Sequence, residues 1–292
     1  MTAGARRGAG ASFRRSRTLA MAAVLLFLLY TLLPLWYLLV SATKTNQQLF
    51  SSFGLWFGGD LNLWENLAAL FARDDGIFLR WMLNSALYSV LAGVGAAAVA
   101  TMAGYALSKF RFRGRDATFA VIIGSVMVPN TVLVIPLFLL FAGVGLTDTW
   151  AAVVLPSTVF PLGVYLMKVY IDGAVPDELL DAARMDGASE ASIFLTVVLR
   201  LASPGIVTVL LLGATSTWNN YFLPLVMLTR GEALPVTVGL AQWFDLASAG
   251  SGGQALFSIV ITGALVGVLP VVALFLALQR FWQGGLASGA VK

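Results

Sequence analysis

The chain alternates between long apolar runs and short polar intervals. Six runs, near residues 20–40, 83–107, 117–141, 150–170, 205–228 and 255–278, each reach the roughly 20 residues that a helix needs to cross a bilayer core. The runs are continuous and do not alternate every second residue, so the expected spanning elements are helices and not the strands of a barrel. The pattern therefore predicts an all-α, polytopic membrane protein with six transmembrane helices. The interval 41–82 is rich in aromatics, and Trp56, Trp64 and Trp81 are expected to anchor at a membrane interface. The interval 246–253, Leu-Ala-Ser-Ala-Gly-Ser-Gly-Gly, reads as a flexible loop before the last run.

Composition supports this picture. Hydrophobic residues make up 59% of the 292 and charged residues 11%, against about 45–50% and about 25% in soluble chains. Such a chain needs the bilayer as part of its solvent. The first run follows Arg6, Arg7, Arg14, Arg15 and Arg17 and is too long for a signal-peptide core, so it reads as an uncleaved first helix. The 18 Lys and Arg set the orientation. Only Lys44, Arg73, Arg80 and Arg230 fall on one side, and the remaining fourteen fall on the other. By the positive-inside rule both termini are cytoplasmic, 41–82 and 229–254 face outward, and 171–203 faces inward. The expected organisation is a basic cytoplasmic tail over 1–19, a six-helix domain over 20–282 and a cytoplasmic tail over 283–292. The net charge of +4 is read as membrane orientation, with no nucleic-acid partner.

Little in the chain can carry chemistry of its own. It contains no Cys and no His, which excludes thiolate chemistry, Cys/His metal sites and imidazole catalysis. No G-x-x-x-x-G-K-[ST] run is present to hold a nucleotide. The six runs hold no Asp or Glu, and Lys168 is the only charge within them, close to one end where it can snorkel. A proton- or ion-coupled carrier or channel is the alternative to a passive pathway driven from elsewhere. An intramembrane enzyme is weaker still.

One polar interval has a shape of its own. Pro176 suits the first turn of a helix, and Asp177 and Glu178 follow at the positive end of its dipole. Ala182, Ala183 and Met185 give a small apolar face, and Gly187 stands where the helix should break. Ser189 is placed to cap a second helix through Ile193, Phe194, Val197 and Val198.

Residues 175–194, Val-Pro-Asp-Glu-Leu-Leu-Asp-Ala-Ala-Arg-Met-Asp-Gly-Ala-Ser-Glu-Ala-Ser-Ile-Phe, resemble the "EAA" loop of binding-protein-dependent ABC importer permeases. The chain over 20–292 is similar to the second, six-span permease of maltose-type carbohydrate importers. The matching pieces include Asn84-Ser-Ala-Leu, Tyr105-Ala-Leu-Ser-Lys-Phe-Arg-Phe-Arg-Gly114, Met127-Val-Pro129, Gly145-Leu-Thr-Asp-Thr149 and Trp218-Asn-Asn-Tyr-Phe-Leu-Pro-Leu225. Two departures stand out. The family's usual Glu before Ala-Ala is Asp181 here. Leu199-Arg200 replaces a frequent Leu-Pro, which is expected to remove one helix break and change an angle slightly.

The resemblance implies a type I importer permease fold with a coupling helix over 176–185, seated in a groove of a cytoplasmic ATPase. Pro176, Glu178, Leu179, Asp181, Ala182, Ala183, Met185, Asp186, Gly187 and Ala188 would form that contact, with Arg184 paired to Asp181. It implies a sugar path in which Trp218, Asn219, Asn220 and Tyr221 are the candidate contacts. Thr215, Ser216 and Thr217 are expected to pack helices, and Gly263-x-x-x-Gly267 to face a partner permease. The implied partners are a second permease in a heterodimer, an ATPase dimer, an extracytoplasmic solute-binding protein and the lipid bilayer. This chain would bind no cofactor, with ATP and Mg held by the ATPase, and the C-terminal tail over 284–292 would be flexible and within reach of the ATPase pair. The expected location is the bacterial plasma (inner) membrane.

Overall fold

A computed structural model describes the backbone over residues 4–249 and 256–289 and the side chains over 17–249 and 256–279. Among the described residues every regular element is helical. In chain order these are α1 (Gly4–Ala42), α2 (Asn46–Ser51), α3 (Leu63–Ala72), α4 (Ile77–Lys109), α5 (Arg115–Val126), α6 (Asn130–Gly143), α7 (Trp150–Thr158) and α8 (Pro161–Ala174). They continue with α9 (Asp177–Met185), α10 (Glu190–Ile193), α11 (Leu199–Leu201), α12 (Ser203–Trp218), α13 (Phe222–Met227), α14 (Val236–Ser248) and α15 (Phe257–Gly289). Among the described residues four helical stretches are long and apolar enough to cross a membrane, and the count reaches six only if each of two bent pairs is one span.

The bends lie where sequence chemistry interrupts the backbone ladder. α5 and α6 meet at 103° across Met127–Pro129. Pro129 has no N–H to donate and disfavours helical geometry at Val128. α7 and α8 are separated at Val159 and Phe160, with Pro161 opening α8. The expected continuous run at 205–228 is also divided: α12 stops at Trp218 and α13 starts at Phe222. The loss of a break at Leu199-Arg200 does not occur as expected. A 79° bend remains between 190–201 and 203–218. It lies at Ala202, because Pro204 in the first turn of α12 supplies the interruption. Upstream, Phe194–Val198 form a π turn between α10 and α11.

The chain divides into two compact units. In the first, formed by 1–70 and 246–265, side-chain amides do the work of regular structure. Asn66 donates to the carbonyls of Ala42 (2.9 Å) and Lys44 (3.0 Å). Asn46 and Ser258 exchange two hydrogen bonds. Lys44 is almost wholly buried, and its ammonium donates to the Phe53 carbonyl at 2.7 Å. Trp56 and Trp64 are exposed. α14 includes 246–248, so the start of the expected flexible loop is helical, and 250–253 lie outside the described residues. α15 continues to Gly289, so most of the expected flexible tail is helical, and 290–292 lie outside the described residues.

The second unit, 71–245 with 266–292, is built around α4, with α8 and α12 packed against it. Small residues set the approach. A Cβ on Gly93 would lie 2.9 Å from Ala214 Cβ and 3.1 Å from the Leu210 carbonyl, and one on Gly104 would lie 2.7 Å from Met167 Cβ. In lipid, close backbone approach of this kind replaces the hydrophobic drive that holds soluble helices together. Gly93→Leu should therefore cost about 1–3 kcal/mol, the range for overpacking. A fall in the thermal midpoint of the detergent-solubilised protein reads this out, and an unchanged midpoint would show that α4 and α12 separate freely.

Two sequence expectations are corrected by the burial of the residues concerned. Trp81 is not an interfacial anchor: it is 2% exposed, its indole N–H donates to the Gly231 carbonyl at 2.8 Å, and its ring lies 4.6 Å from that of Trp243. Gly263 and Gly267 are both buried within this chain and do not stand open to a partner. A Cβ on Gly267 would be 3.8 Å from Val236 Cγ2.

Candidate functional site

The short exposed helix α9 is held at its ends and free on its outer face. Pro176 stands just before it, Asp177 and Glu178 occupy its first turn, and Gly187 follows with φ +82°, the left-handed conformation that glycine adopts without strain. Ser189 Oγ accepts from Ser192 N at 3.3 Å to start α10. Leu180 and Ile193, both essentially buried, seat the loop in an apolar core with Val175, Ile171 and Met167. Glu178, Leu179, Asp181, Ala182, Met185, Asp186 and Gly187 are exposed, Met185 at 88%, and Ala183 and Ala188 are half-buried.

The grip on this loop comes from the last turn of α4. Tyr105, Ser108 and Lys109 share one face, at i, i+3 and i+4. The Tyr105 hydroxyl donates to Glu190 Oε2 at 3.2 Å, and Ser108 Oγ donates to Asp172 Oδ1 at 2.6 Å. Lys109 Nζ donates to the Val175 carbonyl at 2.6 Å and to Asp177 Oδ1 at 2.7 Å. Arg184 then bridges Asp181 (2.9 Å) and Glu190 (2.7 Å), and these partners raise its pKa further. One helical turn thus holds the end of α8 and both flanks of α9. These three side chains were absent from the sequence-derived site, although their spacing was there to read.

A cavity of about 530 Å³ lies where three helix breaks converge. Ser125, Val128, Asn130 and Thr131 reach it from the α5–α6 bend, Ser157, Phe160 and Pro161 from the α7–α8 break, and Ser216, Thr217, Asn220 and Phe222 from the α12–α13 break. Irregular backbone at such places is tolerated where it lines a cavity. Hydroxyls, two amides and two aromatic rings line it, and no ionisable side chain does. Of the four path candidates, only Asn220 lines it. Trp218 is buried, and Asn219 is exposed with its amide on the Thr215 carbonyl. Tyr221 is 41% exposed, outside the lining. Ser216 and Thr217, expected only to pack helices, line it too. Among the described residues no cluster of acidic residues is placed to hold a metal ion.

Close to α13, a clasp joins two loops. Asp148, at φ +60°, accepts from the backbone N–H groups of Thr229 (2.9 Å) and Arg230 (3.1 Å) and from Arg230 Nε (2.8 Å). Its own carbonyl accepts from Arg230 Nη2, and its N–H donates to the Met227 carbonyl at 2.8 Å. The Thr229 N–H above all holds the carboxyl below its ordinary pKa. A depressed folded-state pKa stabilises the fold above the ordinary carboxylate range, and that contribution is lost as pH falls through the folded value. Asp148→Asn should cost about 1–2 kcal/mol near neutral pH. The difference in thermal midpoint from wild type should stay level down to about pH 4 and shrink below it. A difference that instead shrank between pH 7 and 5 would rule out the carboxylate as its source.

Comparison with known proteins gives a consistent result. The family model described as "Binding-protein-dependent transport system inner membrane component" matches residues 96–283. The chain is 32% identical over 270 residues to the arabinooligosaccharides transport system permease protein of Bacillus subtilis, covering 92% of this chain and 93% of that one. It is 30% identical to the lactose transport system permease protein of Rhizobium radiobacter, covering 88% and 90%. It superposes on a chain from the crystal structure of a bacterial ABC transporter involved in import of the acidic polysaccharide alginate. The TM-score is 0.79 at 23% identity, over 92% of this chain and 97% of that one, a likeness of fold.

Proposed function

This chain belongs to the family of binding-protein-dependent transport system inner membrane components, and from that premise we propose that it forms half of the translocation path of an ATP-driven sugar importer. Subunits of this family are the non-catalytic permease components of ABC importers, which work with an ATPase and a solute-binding protein. In our reading ATP and Mg bind the ATPase alone, and that subunit grips this chain through α9. The observation that carries the proposal is that one compact unit holds both the exposed helix α9 and the cavity at the three helix breaks. Hydroxyls, amides and aromatic faces around that cavity suit hydroxyl-rich solutes. Two relatives are named for arabinooligosaccharides and lactose, which supports a sugar cargo. An ion-coupled carrier would need an ionisable group at such a cavity, and none lines it.

The remaining parts of the reading follow the same logic. A second, different permease completes the path, both termini face the cytoplasm, the six-helix domain spans 20–282 of a bacterial inner membrane, and the polar flanks form the tails. The test is purification of the tagged chain from its own host in mild detergent, with mass spectrometry of the associated proteins. An ATPase, a second permease and a solute-binding protein are expected, with sugar uptake into reconstituted vesicles that requires all of them and ATP. A chain that purified alone and moved solute without ATP would overturn the proposal.

A further inference from the structure

The loop between α4 and α5, with the first residue of α5, carries a dense basic pattern. Within five residues it presents Arg111, Phe112, Arg113, Gly114 and Arg115. Arg111 and Arg113 are exposed and, among the described residues, neither meets a carboxylate. Arg115 meets only the adjacent Asp116, at 3.2 Å, and the Asp116 side chain is 93% exposed. A pair of this kind is worth little in water. An open groove of about 490 Å³ runs between Arg111, Phe112 and Arg115, with Asp116 on its wall.

The loop leads directly into an apolar stretch of α5. One turn into α5 from Arg115, the Phe119 ring stacks on Tyr165, and Lys168 Nζ lies 5.2 Å from its centre. Beyond it Val121 (72%) and Ile123 (41%) are exposed apolar residues on a segment read as part of a span. Arg115 therefore stands about one helical turn, roughly 5 Å along α5, before this apolar stretch. Phe112, 45% exposed, stands in sequence between Arg111 and Arg113.

We propose that this segment is a binding site for the headgroup of an acidic glycerophospholipid, with Arg111 and Arg115 lining the groove about its phosphate, the exposed Arg113 adding positive charge beside it, and Phe112 on the groove's apolar side. The lipid, and not a soluble anion, is the fitting occupant because unpaired cations and an exposed aromatic stand together where the chain enters an apolar stretch read as part of a span. Asp116 favours a headgroup that brings hydroxyl donors, as phosphatidylglycerol does, and disfavours a bare phosphate.

Each basic residue near an anionic surface contributes about fivefold in partitioning, so Arg111→Gln with Arg113→Gln should weaken lipid retention about 25-fold. The protein is purified with whatever partners accompany it into nanodiscs of phosphatidylcholine with or without phosphatidylglycerol, and retained lipids are counted by native mass spectrometry. Wild type should keep phosphatidylglycerol selectively, and the double variant should lose it. Arg80→Gln with Arg200→Gln, which removes two charges elsewhere, should keep it, as should Arg111→Lys with Arg113→Lys. Equal retention in wild type and the double glutamine variant would overturn the proposal, as would equal loss in both charge-removing pairs. Displacement of the lipid by excess inorganic phosphate would reassign the loop to free anions. Loss of a protein partner with the lipid retained would reassign it to a protein interface.

Discussion

Replacing Glu178 and Asp181 together by lysine is expected to abolish sugar uptake while leaving the chain folded and inserted in the membrane. Both side chains are exposed, and neither supports the core that Leu180 and Ile193 form beneath them. Among the described residues Asp181 pairs with Arg184 alone, at 2.9 Å, and Arg184 keeps a second anchor on Glu190 at 2.7 Å. The exchange therefore costs little within the chain. On a docking face the sum is different. Like charges brought together across a desolvated contact cost several kcal/mol, and even about 2 kcal/mol is about thirtyfold in affinity. ATP-dependent uptake in vesicles and ATPase co-purification should fall together, while expression and detergent stability stay near wild type. Undiminished uptake in the double variant would remove α9 from the coupling proposal.

Lys109→Met should produce the second large effect, by loosening α9 without altering its exposed face. The Lys109 side chain is 7% exposed, and its ammonium satisfies both the Val175 carbonyl and Asp177. Methionine fills similar volume but donates nothing. It leaves a carbonyl at the start of α9 without its charged donor, a loss of about 1.5–3 kcal/mol. Asp177 is 76% exposed and returns to water, so the carbonyl accounts for most of the cost. The expected signature is ATP hydrolysis that persists while the sugar moved per ATP falls, because the α9 face still docks but is no longer braced against α4. A proportional fall in hydrolysis and uptake would instead show that Lys109 supports only the fold.

Much of the architecture was legible along the chain. Hydropathy located the apolar runs, and the Pro176–Gly187–Ser189 spacing gave α9 its limits to within one residue. The breaks were harder to see. Pro129, Phe160 and Asn219–Asn220 lie inside runs whose apolarity alone predicts unbroken helices, and only packing in three dimensions turns those interruptions toward one cavity. Long-range polar pairs were hidden for a related reason. Tyr105 finds Glu190 across 85 positions, Lys109 finds Asp177 across 68, and Asp148 finds Arg230 across 82. Periodicity could place each on a helix face or in a loop, but it does not record which distant residue the fold brings opposite. Trp81 shows the converse error. Aromatic composition suggested a membrane interface, and a hydrogen bond to Gly231 with the Trp243 ring alongside drew it inside.

The hold of Tyr105, Ser108 and Lys109 on the α8–α10 segment also sets the natural unit of exchange between relatives. A graft of residues 172–203 alone would carry Asp172, Val175, Asp177 and Glu190 to a host whose own α4 decides whether they find donors. Transplanted with the last turn of α4, the segment would arrive with its fittings. Hybrid permeases meant to accept a different ATPase should therefore be cut as two matched pieces, nearly seventy residues apart in sequence and adjoining in space.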